Sequence, residues 1–490
     1  MQKYILAATL TGLLVGTAAD ARLAETPWPT YRHDARHTGR APVMVADAIE
    51  QHWSFSIDGS SQSGVMVGPR GNLFFATNNG EVISLDRGGF LRWRFQSQGP
   101  IRSAPCLTQD EALYFGSFDG CLYALHAPTG VQNWAYCIGA PISSPAVVDE
   151  LGRIYFGATD GYLRCVSTDG VLLWETELGG SVTAGAPSLD GAGHAYIGGY
   201  ENSGLLKIST LDGSIIWRQS LLGAPRNTPA ISDAGNIYIG SRSGKMYAFA
   251  PDGAELWCRE LGAEIRTSAA LAPNGNVIVG TYRGQIFALD PLSGEEQWET
   301  RVGTSVEGSP VVDANNRVYV GGAFSSFVAI SENGDILYHF GGSVADGVVS
   351  IDGDGRLYAA SEGEIGAFGR VRPRIHLDVR GDEFSPGEPL RIALVTTNPS
   401  HRALTVDRRV WLTGPNETAI PLRKDNSLVL AAGASDTLVV FNQPVAKHTA
   451  TGTWRAGARL IIPASGWICS EHIAPYQVVT WPNHHQEDRP

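Results

Sequence analysis

Short apolar runs rich in valine, isoleucine, tyrosine and phenylalanine alternate along most of the chain with turns built on glycine. The stretch "ISSPAVVDELGRIYFGATDGYLRCVSTDGVLLWETEL", Ile142 to Leu178, shows the unit: an apolar strand, a Gly turn, "RIYFGA", an Asp-Gly turn, "YLRCVS", a second Asp-Gly turn and "VLLWETEL". These are four short strands with no helical periodicity between them. The unit recurs. Trp53, Trp93, Trp134, Trp174, Trp217, Trp257 and Trp298 are spaced by 40, 41, 40, 43, 40 and 41 residues, and Tyr338 stands 40 beyond the last. Four-stranded repeats of this period predict an all-β fold built as a β-propeller.

The final repeat supplies "VADGVVSI", "RLYAAS" and "EIGAFG", then runs into "RVRPRIHLDV" where its fourth strand belongs. "QHWSFS", Gln51 to Ser56, has a fourth-strand pattern and no three strands before it. We expect it to complete the last blade and close an eight-bladed ring over residues 22–370, leaving no open seam. Beyond the ring, "RIHLDVRG", "PLRIALVTTN", "RRVWLTG", "NSLVLAAG", "DTLVVFNQP", "TGTWRAGARLII" and "PYQVVTW" read as about seven alternating strands. They predict a β-sandwich over residues 371–480. A polar tail, residues 481–490, follows.

Composition and charge narrow the function. Lys3, an apolar run from Ile5 to Ala19 and the Ala19-Asp20-Ala21 triplet read as a signal peptide, residues 1–21, cleaved after Ala21. No cysteine stands there to take a lipid, and no later apolar run is long enough to span a bilayer. The expected location is periplasmic or secreted. The net charge is -12; residues 371–490 hold 13 Lys and Arg against 11 Asp and Glu, a balance of +2, so the preceding residues carry -14. Nucleic-acid binding, which needs concentrated positive charge, is not expected.

"GSFDGCLYALHAPTGVQNW" (Gly116 to Trp134) and "GTYRGQIFALDPLSGEEQW" (Gly280 to Trp298) resemble the tryptophan-docking repeat of pyrroloquinoline-quinone-type, or quinoprotein, propellers, and the resemblance extends from Pro27 to about Gly369. "PWPTYRHDARHTG", Pro27 to Gly39, is similar to the lead segment that packs on such rings before the closing strand. His33 and His37 there have metal-ligand spacing but no third ligand, and the lead reading is preferred. "FSPGEPLRIALVTTNPS", Phe384 to Ser400, is similar to the entry of immunoglobulin-like domains in bacterial exported proteins. The family contains enzymes and non-enzymes. Its dehydrogenases imply a vicinal cysteine pair over the quinone, a Ca²⁺ held by acidic and amide groups, and an aspartate base. Cys106, Cys121, Cys137, Cys165, Cys258 and Cys469 include no adjacent pair, no CxxCH occurs, and "SIDGDGRLY" (Ser350 to Tyr358) reads as a turn before it reads as a cation loop.

Two sets of residues carry specific expectations. Aligning the inner strands on their Ser-Pro-Ala core places Ser61, Arg102, Ile142, Ala184, Arg226, Arg266, Glu307 and Asp346 at one level of the channel mouth. Arg102, Arg226 and Arg266 would grip an anionic ligand, or else pair with Glu307, Asp346 and turn acids such as Asp119 and Asp160. In the second blade a turn centred near Thr129 sets Cys121 opposite Cys137, at disulfide distance in an exported protein. The other four cysteines read as buried small apolar residues. Together these features predict a non-catalytic binding or scaffold protein with no cofactor, whose partner is an envelope or extracellular protein or an anionic small ligand. A quinone- and Ca²⁺-dependent oxidoreductase with an atypical site, and a carbohydrate-binding or adhesion protein, are the alternatives.

Overall fold

The computed structural model describes residues 22–47, 49–182, 185–199, 204–303, 305–321, 326–341, 349–360, 362–370, 374–379, 383–384, 389–397, 404–413, 419–431, 435–444, 452–462 and 467–478. The proposed signal peptide and the polar tail lie outside these residues. The chain divides into two compact units, one formed by residues 1–45 and 51–369 and the other by residues 46–50 and 370–490.

The first unit is a β-propeller with eight four-stranded sheets. Blades one to seven follow chain order, their inner strands being Met66–Val67, Cys106–Leu107, Val147–Val148, Ser188–Leu189, Ala230–Ile231, Ala270–Leu271 and Val311–Val312. Blade eight is assembled from both ends of the ring. Val349–Ile351, Leu357–Ala360 and Glu362–Arg370 are joined by the strand Ile49–Ser60 as its outer member.

Burial grades across each blade as the sequence pattern requires. In blade three the second strand, Ile154–Gly157, is buried at every position, and the outer strand, Leu172–Glu177, alternates exposed and half-buried residues. A strand covered on both faces reads as a continuous apolar run; an outer strand alternates. Cys258 shows what this means for a small residue. Expected to be buried, it is exposed, because it lies in the outer strand Glu255–Glu260, where only Trp257 is buried.

The tryptophans join one blade to the next. The indole N–H of Trp93 donates to the Ala127 carbonyl at 2.9 Å, that of Trp134 to Thr168 at 2.7 Å and that of Trp298 to Glu332 at 2.8 Å. Each acceptor lies in the last turn of the following blade, and a glycine there lies under the ring. Gly130 has φ 72°, and a Cβ on it would stand 2.6 Å from the Trp93 ring. A second repeated device closes the first turn of several blades. Asp149 accepts the amides of Leu151 and Arg153, each at 2.9 Å, through one oxygen and the Tyr155 hydroxyl at 2.8 Å through the other. Asp313 with Tyr319 and Asp352 with Tyr358 repeat it.

In the second unit the described residues form two sheets. Arg374–Val379, Pro389–Thr397 and Ser435–Pro444 make one; Glu383–Phe384, Trp467–Val478, Gly452–Ile462, Leu404–Thr413 and Ala419–Leu430 make the other. Ile392 and Leu394 of the first sheet and Val410, Leu412, Ala456 and Ala458 of the second are buried. The described residues contain no helix long and apolar enough to cross a membrane.

Candidate functional site

The lead segment winds round the inside of the ring. In six inner strands the second residue offers its amide to the channel, and carbonyls of the lead accept them in turn: Val67 donates to Trp28, Leu107 to Pro29, Leu189 to Ala35, Ile231 to Arg36, Leu271 to Thr38 and Val312 to Gly39, at 2.8–3.0 Å. Six of the eight blades are thus tied to a dozen residues by the backbone alone. Burial follows, and Trp28, Thr30, Arg32 and His37 are fully enclosed.

Neither histidine of the lead is placed as a metal ligand. His37 sets Nδ1 2.7 Å from the Tyr31 carbonyl and Nε2 3.0 Å from the Pro187 carbonyl, and burial lowers its pKa. His33 packs edge-on to Trp28 and reaches Asp34 at 3.3 Å. Burial would raise the Asp34 pKa, but hydrogen bonds from His33 and Thr38 and the charge of His33 outweigh it, leaving the carboxyl at about 2.

The channel mouth lies at the loops that enter the inner strands. A repeated backbone bond fixes the register there: Phe118 donates to Pro100, Thr159 to Pro141, Arg242 to Ala224, Tyr282 to Glu264 and Asn78 to Ser60. Two residues beyond each acceptor stand Arg102, Ser143, Arg226, Arg266 and Gln62. Ser61 and Ile142 are therefore one residue away from the level expected for them, and both are buried. The cause is the place of the proline: it immediately precedes the inner strand in blades two, five and seven (Pro105, Pro229, Pro310) but stands two residues before it in blade three (Pro145), and blade one has none to align on. Ala184 and Asp346 lie outside the described residues.

Arg102 and Arg266 make the same contact in blades two and six. The Arg102 guanidinium lies over the Phe118 ring at 5.0 Å, and that of Arg266 over Tyr282 at 4.0 Å. Both rings sit at one position of the turn between second and third strands, and a cation over an aromatic face is attracted by the ring quadrupole. Their ion pairs differ. Arg266 meets Glu264 at 3.2 Å and Glu307 at 3.7 Å, and Glu264 also takes Arg242 at 2.7 Å. The Glu264 hydrogen bond raises the Arg266 pKa; burial alone would raise that of Glu264, but bonds and charge from Arg266 and Arg242 bring it below the ordinary value. Arg102 is exposed and has no carboxylate partner among the described residues. Asp119 is engaged by Tyr123 at 2.8 Å and Asp160 by Arg164 at 2.7 Å, so neither is the counter-ion of a mouth arginine. Arg226 is half-buried in blade five.

Phe118, Tyr282, Glu264 and Arg242 escaped the sequence reading. The signal was present in the aligned turns "GSFDG" and "GTYRG", where one aromatic recurs four blades apart.

Cys121 stands opposite Cys137 and the two are disulfide-bonded, with Cα atoms 4.0 Å apart. Cys106 and Cys165 are buried thiols whose pKa burial pushes up to about 12. They are poor nucleophiles and poor ligands at neutral pH. The side chain of Cys469 lies outside the described residues. The oxygens of Asp352 in "SIDGDGRLY" accept the amides of Asp354 and Arg356, each at 2.9 Å, and the Tyr358 hydroxyl at 3.2 Å. That is the turn reading. The residues present do not fit the quinone–Ca²⁺ pair: the sequence has no vicinal cysteines, the interior of the ring is taken by the lead, and the described acids there serve turns or arginines.

The ring, its docked tryptophans and its arginine-lined mouth define a β-propeller of the pyrroloquinoline-quinone repeat class. Residues 44–250, 201–272 and 242–367 match the family described as outer membrane protein assembly factor BamB, over more than half of the chain. The chain belongs to that family. Among solved structures, BamB from Moraxella catarrhalis is 20% identical, with a TM-score of 0.55 over 66% of this chain and 98% of that one. A europium-containing methanol dehydrogenase is 13% identical, with a TM-score of 0.61 over 70% of this chain and 98% of that one. Quinohemoprotein alcohol dehydrogenase from Comamonas testosteroni is 14% identical, with a TM-score of 0.61 over 71% and 82%. At these identities the likeness is one of fold. No curated protein sequence matches the chain.

Proposed function

We propose that this protein is an exported, non-catalytic binding propeller of the bacterial envelope, and that its channel mouth holds an acidic segment of a partner protein or an anionic ligand. The observation that carries the reading is Arg102, an exposed cation oriented over Phe118 with no described carboxylate to neutralise it. Arg266, held in the matching stack over Tyr282, keeps its guanidinium partly accessible beside Glu264 and Glu307. Membership of the BamB family supports a role in envelope assembly, which works through protein contacts. We assign the second unit an immunoglobulin-like sandwich; its two sheets support this.

The test is capture of envelope proteins by the immobilised mature chain. Reversing charge in Arg102→Glu should weaken capture by about tenfold or more, the scale of a lost charge-assisted hydrogen bond. The unfolding midpoint should stay unchanged, because Arg102 lies at the surface. Equal capture by the variant would remove the mouth as the binding surface.

A further inference from the structure

Arg32 is a cation sealed inside the ring, with no solvent exposure. Its Nε donates to the His37 carbonyl at 3.3 Å and its Nη2 to the Ala269 carbonyl at 2.5 Å. Gly39 packs so closely against the guanidinium that a Cβ there would stand 2.4 Å from Nη2. The remaining nitrogen, Nη1, is buried and has no hydrogen-bond partner among the described residues. Burial lowers the Arg32 pKa from 12.5 to about 10, which leaves the group charged at neutral pH.

The charge of Asp34 acts on Arg32, but among the described residues no carboxylate bonds the guanidinium. Asp34 is the acid of the segment, and its oxygens are taken by the Thr38 amide at 3.1 Å, the Thr38 hydroxyl at 2.5 Å and His33 at 3.3 Å. His37 faces two carbonyls and carries no negative charge. Tyr31 turns its hydroxyl to Ser309 at 3.4 Å. Trp28, four residues before Arg32 in the lead, has an indole Nε1 that is likewise buried without a described partner. A buried guanidinium is costly unless it is paired, and carbonyl dipoles neutralise it only in part. Donors in excess, no carboxylate bonded to the guanidinium among the described residues and one free N–H edge point to an acceptor that carries charge.

We propose that the ring encloses a small-anion site at Arg32 Nη1, one that takes a halide or a one-carbon carboxylate. The backbone anchor of Arg32, Ala269, is three residues beyond Arg266, a span of no more than about 10 Å. Arg32 is thus anchored close along the chain to a mouth arginine. The anion site is separate from the partner surface at Arg102 and stands whether or not that surface binds protein.

The direct test is a crystal of the full mature chain grown in, or exchanged into, sodium bromide. The expected result is an anomalous bromide peak within hydrogen-bond distance of Arg32 Nη1, displaced when the crystal is transferred to sodium formate. Density for water alone at Nη1, with no anomalous signal, overturns the proposal. In solution, thermal unfolding titrated with formate or bromide, at ionic strength held constant with a bulky sulfonate, should rise saturably for the native chain. Arg32→Gln should lose the saturable rise, and Arg32→Lys should weaken it at least severalfold. A matching saturable rise in a folded Arg32→Gln also contradicts the site. The crystal readout uses the native chain, so it holds even if both variants fail to fold.

Discussion

At the scale of single residues, the lead segment turns a polar-looking stretch into core. Asp34 illustrates the energetics. Its folded pKa of about 2 lies below its ordinary value of 3.8, so its contribution to stability is fully present above about pH 4 and is lost as the pH falls toward 2. Denaturant midpoints measured from pH 6 to pH 2 should therefore fall less steeply in Asp34→Asn, whose starting stability is lower. An identical acid limb in both proteins would show that Asp34 is not held by His33 and Thr38. Little of this was legible beforehand. In "PWPTYRHDARHTG" the fully buried residues Trp28, Thr30, Arg32 and His37 step by two, two and then five, so no period is sustained, because inner strands of separate blades enclose them one at a time. Periodicity marks elements that bury one face; a segment wrapped on all sides leaves no such mark.

At the scale of elements, the blade is the unit that sequence displays well. The tryptophan period of about 40 residues is visible because each indole must reach a carbonyl at one fixed place in the next repeat, and the bonds from Trp93, Trp134, Trp257 and Trp298 all span 34 residues. A glycine under the ring is the matching requirement. Gly130→Ala puts a Cβ into the Trp93 ring at φ 72° and should cost about 1–3 kcal/mol by denaturant unfolding, the scale of a strained backbone. Gly139→Ala, also at positive φ but with nothing within 4 Å of its Cβ, should cost less. Equal losses would show that backbone strain, and not the indole contact, is what Gly130 relieves. The register of the inner strands was less legible for an equally concrete reason. Pro145 stands one residue further from its inner strand than Pro105, Pro229 and Pro310 do from theirs, so alignment on proline slips by one, and it is the amide of Thr159 bonding to Pro141 that sets the register. Cys258 was misplaced because apolar type was read without the outer strand's alternation.

At the scale of the whole molecule, the ring is bound together from both sequence ends. Ile49–Ser60 completes the blade begun by Val349–Ile351, while the lead ties six blades from within. At the mouth two arginine–aromatic stacks stand four blades apart, across the ring. A mixed-charge mouth suits recognition of another surface. The measurement that tests this most directly is site-specific photocrosslinking from position 62, the exposed Gln62 at the level of Arg102, in intact cells that make the protein. The account predicts a discrete adduct with an envelope protein that disappears when Arg102→Glu is introduced. If position 62 yields no adduct while the exposed outer-strand residue Leu173 does, the partner meets the rim and the claim for the mouth is wrong.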